Sequence, residues 1–157
     1  MKRTQVLRTL GGLAAVSAGA IPLRIMAAAP RKIILRIVAG KNGIVGPDHL
    51  KHVAFVPANF TVAAGVPVTV TVINESVEHH SITCSAIPLD QAIAPARRNK
   101  DGTITPVTTK FTFTARPGTW RWYCKEPCDM DQHMWSMTPG ETGRGQEGYM
   151  AGHITAV

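Results

Sequence analysis

One stretch of the chain, "WRWYCKEPCDMDQHMWSM" (120–137), gathers two cysteines, one histidine, three methionines and three acids behind an aromatic run. Thiolate, imidazole and thioether donors in one segment are the ligand types of a soft metal site. They select copper, or zinc where the coordination is closed. Cys124 and Cys128 also read as a local disulfide, since an oxidising compartment permits one. The chain holds three cysteines, Cys84 being the third, so at least one thiol is left unpaired or metal-bound. Cys84 falls in phase with the core positions around it and reads as a small buried hydrophobe. A fourth donor, His80, begins a separate alternating segment, "HSITCSAI" (80–87), just after the turn-like "NESVEH".

Those donors need elements that carry them to one place, and the pattern around them is β. "KIILRIV" (Lys32–Val38) is a β-branched run. "GVPVTVTVIN" (65–74) alternates, with Val66, Val68, Val70 and Val72 on one face. In "HSITC", His80, Ile82 and Cys84 point inward and Ser81 and Thr83 outward. "KFTFTA" places Phe111 and Phe113 together, and "RPG" (116–118) is a turn: proline presets φ and glycine accepts a positive one. "TWRWYC" returns with Trp120, Trp122 and Cys124 in phase, which leaves a sulfur at the rim of the core. "YMAGHITAV" closes the chain with Met150, Gly152, Ile154 and Ala156 in phase. Helical periodicity is nearly absent. Two tracts, 88–106 and 125–148, read as long loops, and long ordered loops tend to carry function. Short strands separated by turns predict an all-β sandwich or barrel.

The first residues have the layout of an export signal. Lys2, Arg3 and Arg8 are followed by an apolar run of about 14 residues (10–23) and the small residues Ala27, Ala28 and Ala29. That run is shorter than the ~20 residues of a membrane-spanning helix. The expected division is therefore 1–29, a signal that is cleaved or kept as an anchor, and 30–157, one domain. The location would be periplasmic or otherwise extracytoplasmic. Setting aside Lys2, Arg3, Arg8 and Arg24 leaves 13 basic residues of 17 against 10 acidic ones, so +7 falls to +3. A weak positive charge suits an acidic protein partner and is poor support for nucleic-acid binding.

The segments "AFVPANFTVAAGVPVTVTVINESVEHHSIT", "FTFTARPGTWRWYC" and "MAGHITAV" together resemble the cupredoxin family. The resemblance implies a Greek-key β-sandwich, bound copper and one-electron transfer with redox partners such as a cytochrome or a terminal oxidase. It makes His80, followed by Ser81, the first copper ligand, with the remaining ligands in a loop between the last two strands. Two subfamilies compete there. A single-copper, azurin-like site would use Cys124 or Cys128, then His133, then Met150 or Met137; the opening Met150-Ala151-Gly152-His153-Ile154 suits Met150. The binuclear centre of cytochrome oxidase subunit II and nitrous oxide reductase would use both Cys124 and Cys128, the backbone carbonyl of Glu126, His133 and Met137. His133 and Met137 each arrive one residue later than in that subfamily.

Other readings stay open. Met130, Met134, Met137 and Met150 favour copper(I), as in a copper carrier or chaperone. A metal-free binding module stapled by a Cys124–Cys128 disulfide is the third. No His-x-His pair or nucleophile constellation points to an oxidase or another enzyme. His49, His52, His79 and His153 read as surface residues outside the constellation.

Overall fold

The computed structural model describes residues 29–138 and 144–157; the expected signal at 1–29 lies, but for Ala29, outside the described residues. In chain order the strands are β1 (Lys32–Val38), β2 (Ile44–Val45), β3 (Lys51–His52), β4 (Ala54–Val56), β5 (Phe60–Val62), β6 (Val68–Asn74), β7 (His80–Cys84), β8 (Leu89–Ile93), β9 (Arg97–Arg98), β10 (Ile104–Thr105), β11 (Val107–Phe113), β12 (Gly118–Tyr123) and β13 (Ala151–Ala156). Short 3-10 turns lie at Gly40–Asn42, Met130–Gln132 and Trp135–Met137. Among the described residues no helix is long and apolar enough to cross a membrane.

Two sheets face each other, in the orders β11-β6-β1-β4 and β5-β13-β12-β7-β8. β6 and β11 are neighbours although β7 to β10 separate them in sequence. The chain leaves the first sheet, forms the β7–β8 hairpin in the second and returns beside β6. That excursion is the Greek-key crossover: of the sandwich and the barrel that the strand pattern allowed, the chain forms the Greek-key sandwich that the resemblance implied. The alternation set it: Val68, Val70 and Val72 of β6 and Leu35 and Ile37 of β1 are fully buried, while Thr69 and Arg36 between them face water.

β13 passes so close to the 57–59 corner that a Cβ on Gly152 would meet the Ala58 carbonyl oxygen at 2.2 Å. Glycine is needed there. Its cross-strand partner Trp122, fully buried, donates its indole N–H to that same oxygen at 2.8 Å, pinning β12 and β13 to the corner.

The 88–106 tract has more structure than a loop. β8 pairs with β7 over five positions, from Cys84↔Leu89 to His80↔Ile93, and β9 pairs with β10 as a short ribbon. Only Leu89 and Ile93 of β8 are buried, so its apolar signal is two residues in "LDQAI" and the pairing itself makes the strand.

Candidate metal centre

β12 is held along its whole length by β13, from Gly118↔Ala156 to Tyr123↔Ala151, and this delivers Cys124 to the end of the sandwich. Against β7 it pairs only at Tyr123↔Thr83. Past that rung the contacts between the two strands change kind. The Ser81 N–H donates to Cys124 Sγ at 3.3 Å, and the Ser81 hydroxyl accepts the Lys125 N–H at 2.9 Å. Ser81 is therefore buried, not outward-facing as the alternation implied: the returning chain covers it. The Cys124 N–H is satisfied by the Met150 carbonyl at 2.8 Å.

His80, at the start of β7, is fully buried and faces this sulfur. His80, Cys124 and Cys128 form a group whose donor atoms all lie within 4.8 Å of one another. The two Sγ atoms are 3.9 Å apart, so the cysteines are free thiols and the expected disulfide alternative is not formed. The half-buried Met137, on the 3-10 turn Trp135–Met137, brings its Sδ to 3.1 Å from Cys128 Sγ. The Glu126 carbonyl oxygen lies 3.7 Å from Cys124 Sγ. Behind His80 is an aromatic floor, with Phe55 edge-on at 6.4 Å and Trp122 packed edge-on to Phe55 at 4.8 Å.

Met150 is fully buried beside the cluster, and its carbonyl accepts the Cys124 N–H. His133 is exposed, with φ 54 in the left-handed region, and is not part of the group. Of the surrounding residues, Cys84 is buried as expected, while His49, His79 and His153 reach solvent.

Both nitrogens of His80 are buried without a hydrogen-bond partner. Leaving a buried polar group unpaired costs about 1–3 kcal/mol. The thiols show the same imbalance. A hydrogen bond from Cys128 is the main force that pulls Cys124 down to about 4, against burial and with help from His80 and the Ser81 N–H. Cys128 is pushed far up by sharing its proton with Cys124, by burial and by negative charge at Cys124, Glu78 and Asp129. The pair thus holds one proton between two sulfurs. A cation is what would let both ionise, and it would also take the free imidazole nitrogen. Two sulfurs, an imidazole and a nearby thioether suit a soft metal, and copper fits this donor set.

One residue of this region escaped the sequence reading. His52 is fully buried, not a surface residue. Its Nδ1 lies 2.8 Å from Asp129 Oδ2 and its Nε2 2.9 Å from Asp48 Oδ1. Trp135 packs against its ring at a tilt of 38°, with centroids 4.3 Å apart, and Tyr149 meets it edge-on at 6.0 Å. The signal available in sequence was its place at the head of the apolar run "VAF", with Asp48 four residues earlier; Asp129 lies 77 residues away.

No protein-family model and no curated protein matches the chain. Several solved structures do. Reduced auracyanin from the photosynthetic bacterium Roseiflexus castenholzii is 18% identical, over 83% of this chain and 99% of that one, with a TM-score of 0.45. The blue copper oxidase from Nitrosomonas europaea is 21% identical over 80% of this chain, which spans only 38% of that protein, with a TM-score of 0.48. Reduced rusticyanin is 17% identical, over 84% of this chain and 82% of that one, with a TM-score of 0.46.

Proposed function

We propose that this chain is an exported cupredoxin that carries single electrons, with copper held by His80, Cys124, Cys128 and Met137. The observation that carries this reading is the buried group of one unpartnered imidazole and two thiols 3.9 Å apart, all within 4.8 Å of one another. Copper supplies a one-electron change of charge. The chain supplies a fixed setting for it: His80 and Cys124 sit at the ends of two strands of one sheet, and the Ser81 N–H and the Phe55 and Trp122 rings hold them in place. Donors that hold still keep the reorganisation on electron transfer small, and the apolar surround and the thioether tune the potential.

A two-copper form is the second reading. It is favoured by two sulfurs 3.9 Å apart, both of which could hold copper, and by the Glu126 carbonyl 3.7 Å from Cys124 Sγ. It would need a second imidazole, and His133 would have to turn toward the group to supply it; an azurin-like single-copper set would need the same turn. The partner is a redox protein such as a cytochrome or a terminal oxidase, met outside the cytoplasm. Association with a membrane follows only if the segment 1–29 is kept.

Copper quantitation with electron paramagnetic resonance tests both readings. A thiolate-to-copper band with hyperfine splitting from one copper supports the single-ion form, and splitting from two equivalent nuclei the binuclear one. Loading without any such band overturns the redox reading. Tight copper(I) binding without reversible voltammetry would assign the chain to copper carriage instead.

A further inference from the structure

The loop that bears Cys128 and Met137 is not held by packing alone. Its residue Asp129 is buried, has φ 64, and is bonded from every side. Its carboxylate accepts the Val53 N–H at 3.1 Å and the Ser136 N–H at 3.0 Å, and meets His52 Nδ1 at 2.8 Å. Its backbone carbonyl accepts the N–H groups of Gln132 and Met134, at 3.0 and 2.8 Å. From the opposite side Glu78 accepts the N–H groups of Asp129 and Met130 at 2.8 and 2.9 Å. A cavity of about 740 Å³, lined in part by Glu78, Asp129, Asp131 and Gln132, flanks the loop there. On that flank hydrogen bonds, not side-chain packing, set the path of the chain.

The path decides which donors face the cluster. Asp129, His133 and Met134 all adopt left-handed backbone without being glycine, at φ 64, 54 and 59. Such conformations persist only where the surroundings over-determine them. Here they turn Cys128 inward and His133 into solvent. We propose that His52, Asp129 and Glu78 form a clamp that selects the donors of the metal loop, admitting Cys128 and Met137 and excluding His133. The three are positioning residues. This inference rests on the copper reading for its consequence, but the clamp itself is a property of the chain without metal.

Two arms test it. In the metal-free protein, Cys128 is sealed in wild type, and Glu78→Ala or His52→Leu should raise its labelling by a thiol reagent about tenfold, read site by site by mass spectrometry, with Cys84 unchanged. In copper-loaded protein, electron-nuclear double resonance should count one coordinated imidazole in wild type and two in Glu78→Ala, as the freed loop offers His133. Glu78→Ala leaves no buried carboxylate unpaired and so stands in for His52→Leu should the latter fail to fold. His52→Asn separates position from stability: its amide nitrogen falls where Nδ1 lies, so it should lose thermal stability yet keep the wild-type labelling and imidazole count. Unchanged labelling and unchanged imidazole count in both loosened variants would overturn the clamp. A wild-type chain that takes up no copper overturns the metal reading alone and leaves the labelling rates to decide the clamp.

Discussion

Two histidines are fully buried at the same end of the sandwich, and their surroundings are opposite. His52 sits between two carboxylates, with both ring nitrogens engaged. His80 sits between two thiols and an aromatic floor, with neither nitrogen engaged. The first is complete and the second is not. Burial alone therefore says little about what a histidine does; whether its nitrogens are spoken for says a great deal.

Substitutions should break this contrast in order of size. Removing a donor from the incomplete site has the largest effect. Cys124→Ser or His80→Leu should weaken copper binding by at least about 100-fold and abolish the thiolate-to-copper band, read by titration and visible spectroscopy. An undiminished band in Cys124→Ser would remove that sulfur from the site. Next comes stability without metal, where the same change at the two histidines should have opposite signs. His52→Leu leaves the buried Asp129 carboxylate without its cation and should cost about 3–5 kcal/mol in urea unfolding. His80→Leu removes two unpaired nitrogens from an apolar setting and should stabilise the metal-free chain by about 1–3 kcal/mol. Equal signs would erase the distinction.

The smallest effect is on pH. Burial works against charge on His52, but Asp48 and Asp129 outweigh it and raise its pKa above the ordinary 6.5. Its contribution to stability is thus fully present below 6.5 and is lost as the pH rises through the raised value. The urea midpoint of metal-free protein should fall on going from mildly acidic to mildly alkaline pH, and His52→Leu should flatten that fall. A midpoint that rises with pH would show that the carboxylates hold a neutral ring.

Much of this was written in local pattern. The valines of β6, the turn at Pro117 and the phase of Trp120, Trp122 and Cys124 each follow from alternation, and alternation is a property of neighbours. Cys124 and the strand-end His80 were legible as candidate donors for the same reason, and Cys128 by its residue type; the structure brings the three together. What could not be read depends on distant partners. His52 is buried because Asp129 meets it from the far end of the sequence, and it follows Lys51, which looks like surface. His133 was expected among the ligands by its spacing, and the spacing was real. Its outward turn goes with left-handed backbone at an aspartate, a histidine and a methionine; the first two tolerate that region better than most residues, but nothing local says which of them adopts it. β8 was missed because an edge strand needs few apolar residues once a neighbour supplies its hydrogen bonds.

The bond from the Ser81 N–H to Cys124 Sγ makes the sulfur stand in for a rung of the sheet. A change in electron density on that sulfur is therefore felt directly by one main-chain amide of β7. Strip the charge from the sulfur and that proton is held less tightly; restore it and the hold returns. The Ser81 amide is in this sense a reporter wired into the framework, and its hydrogen-exchange rate and nitrogen-15 shift should track the state of the thiolate without any probe being added.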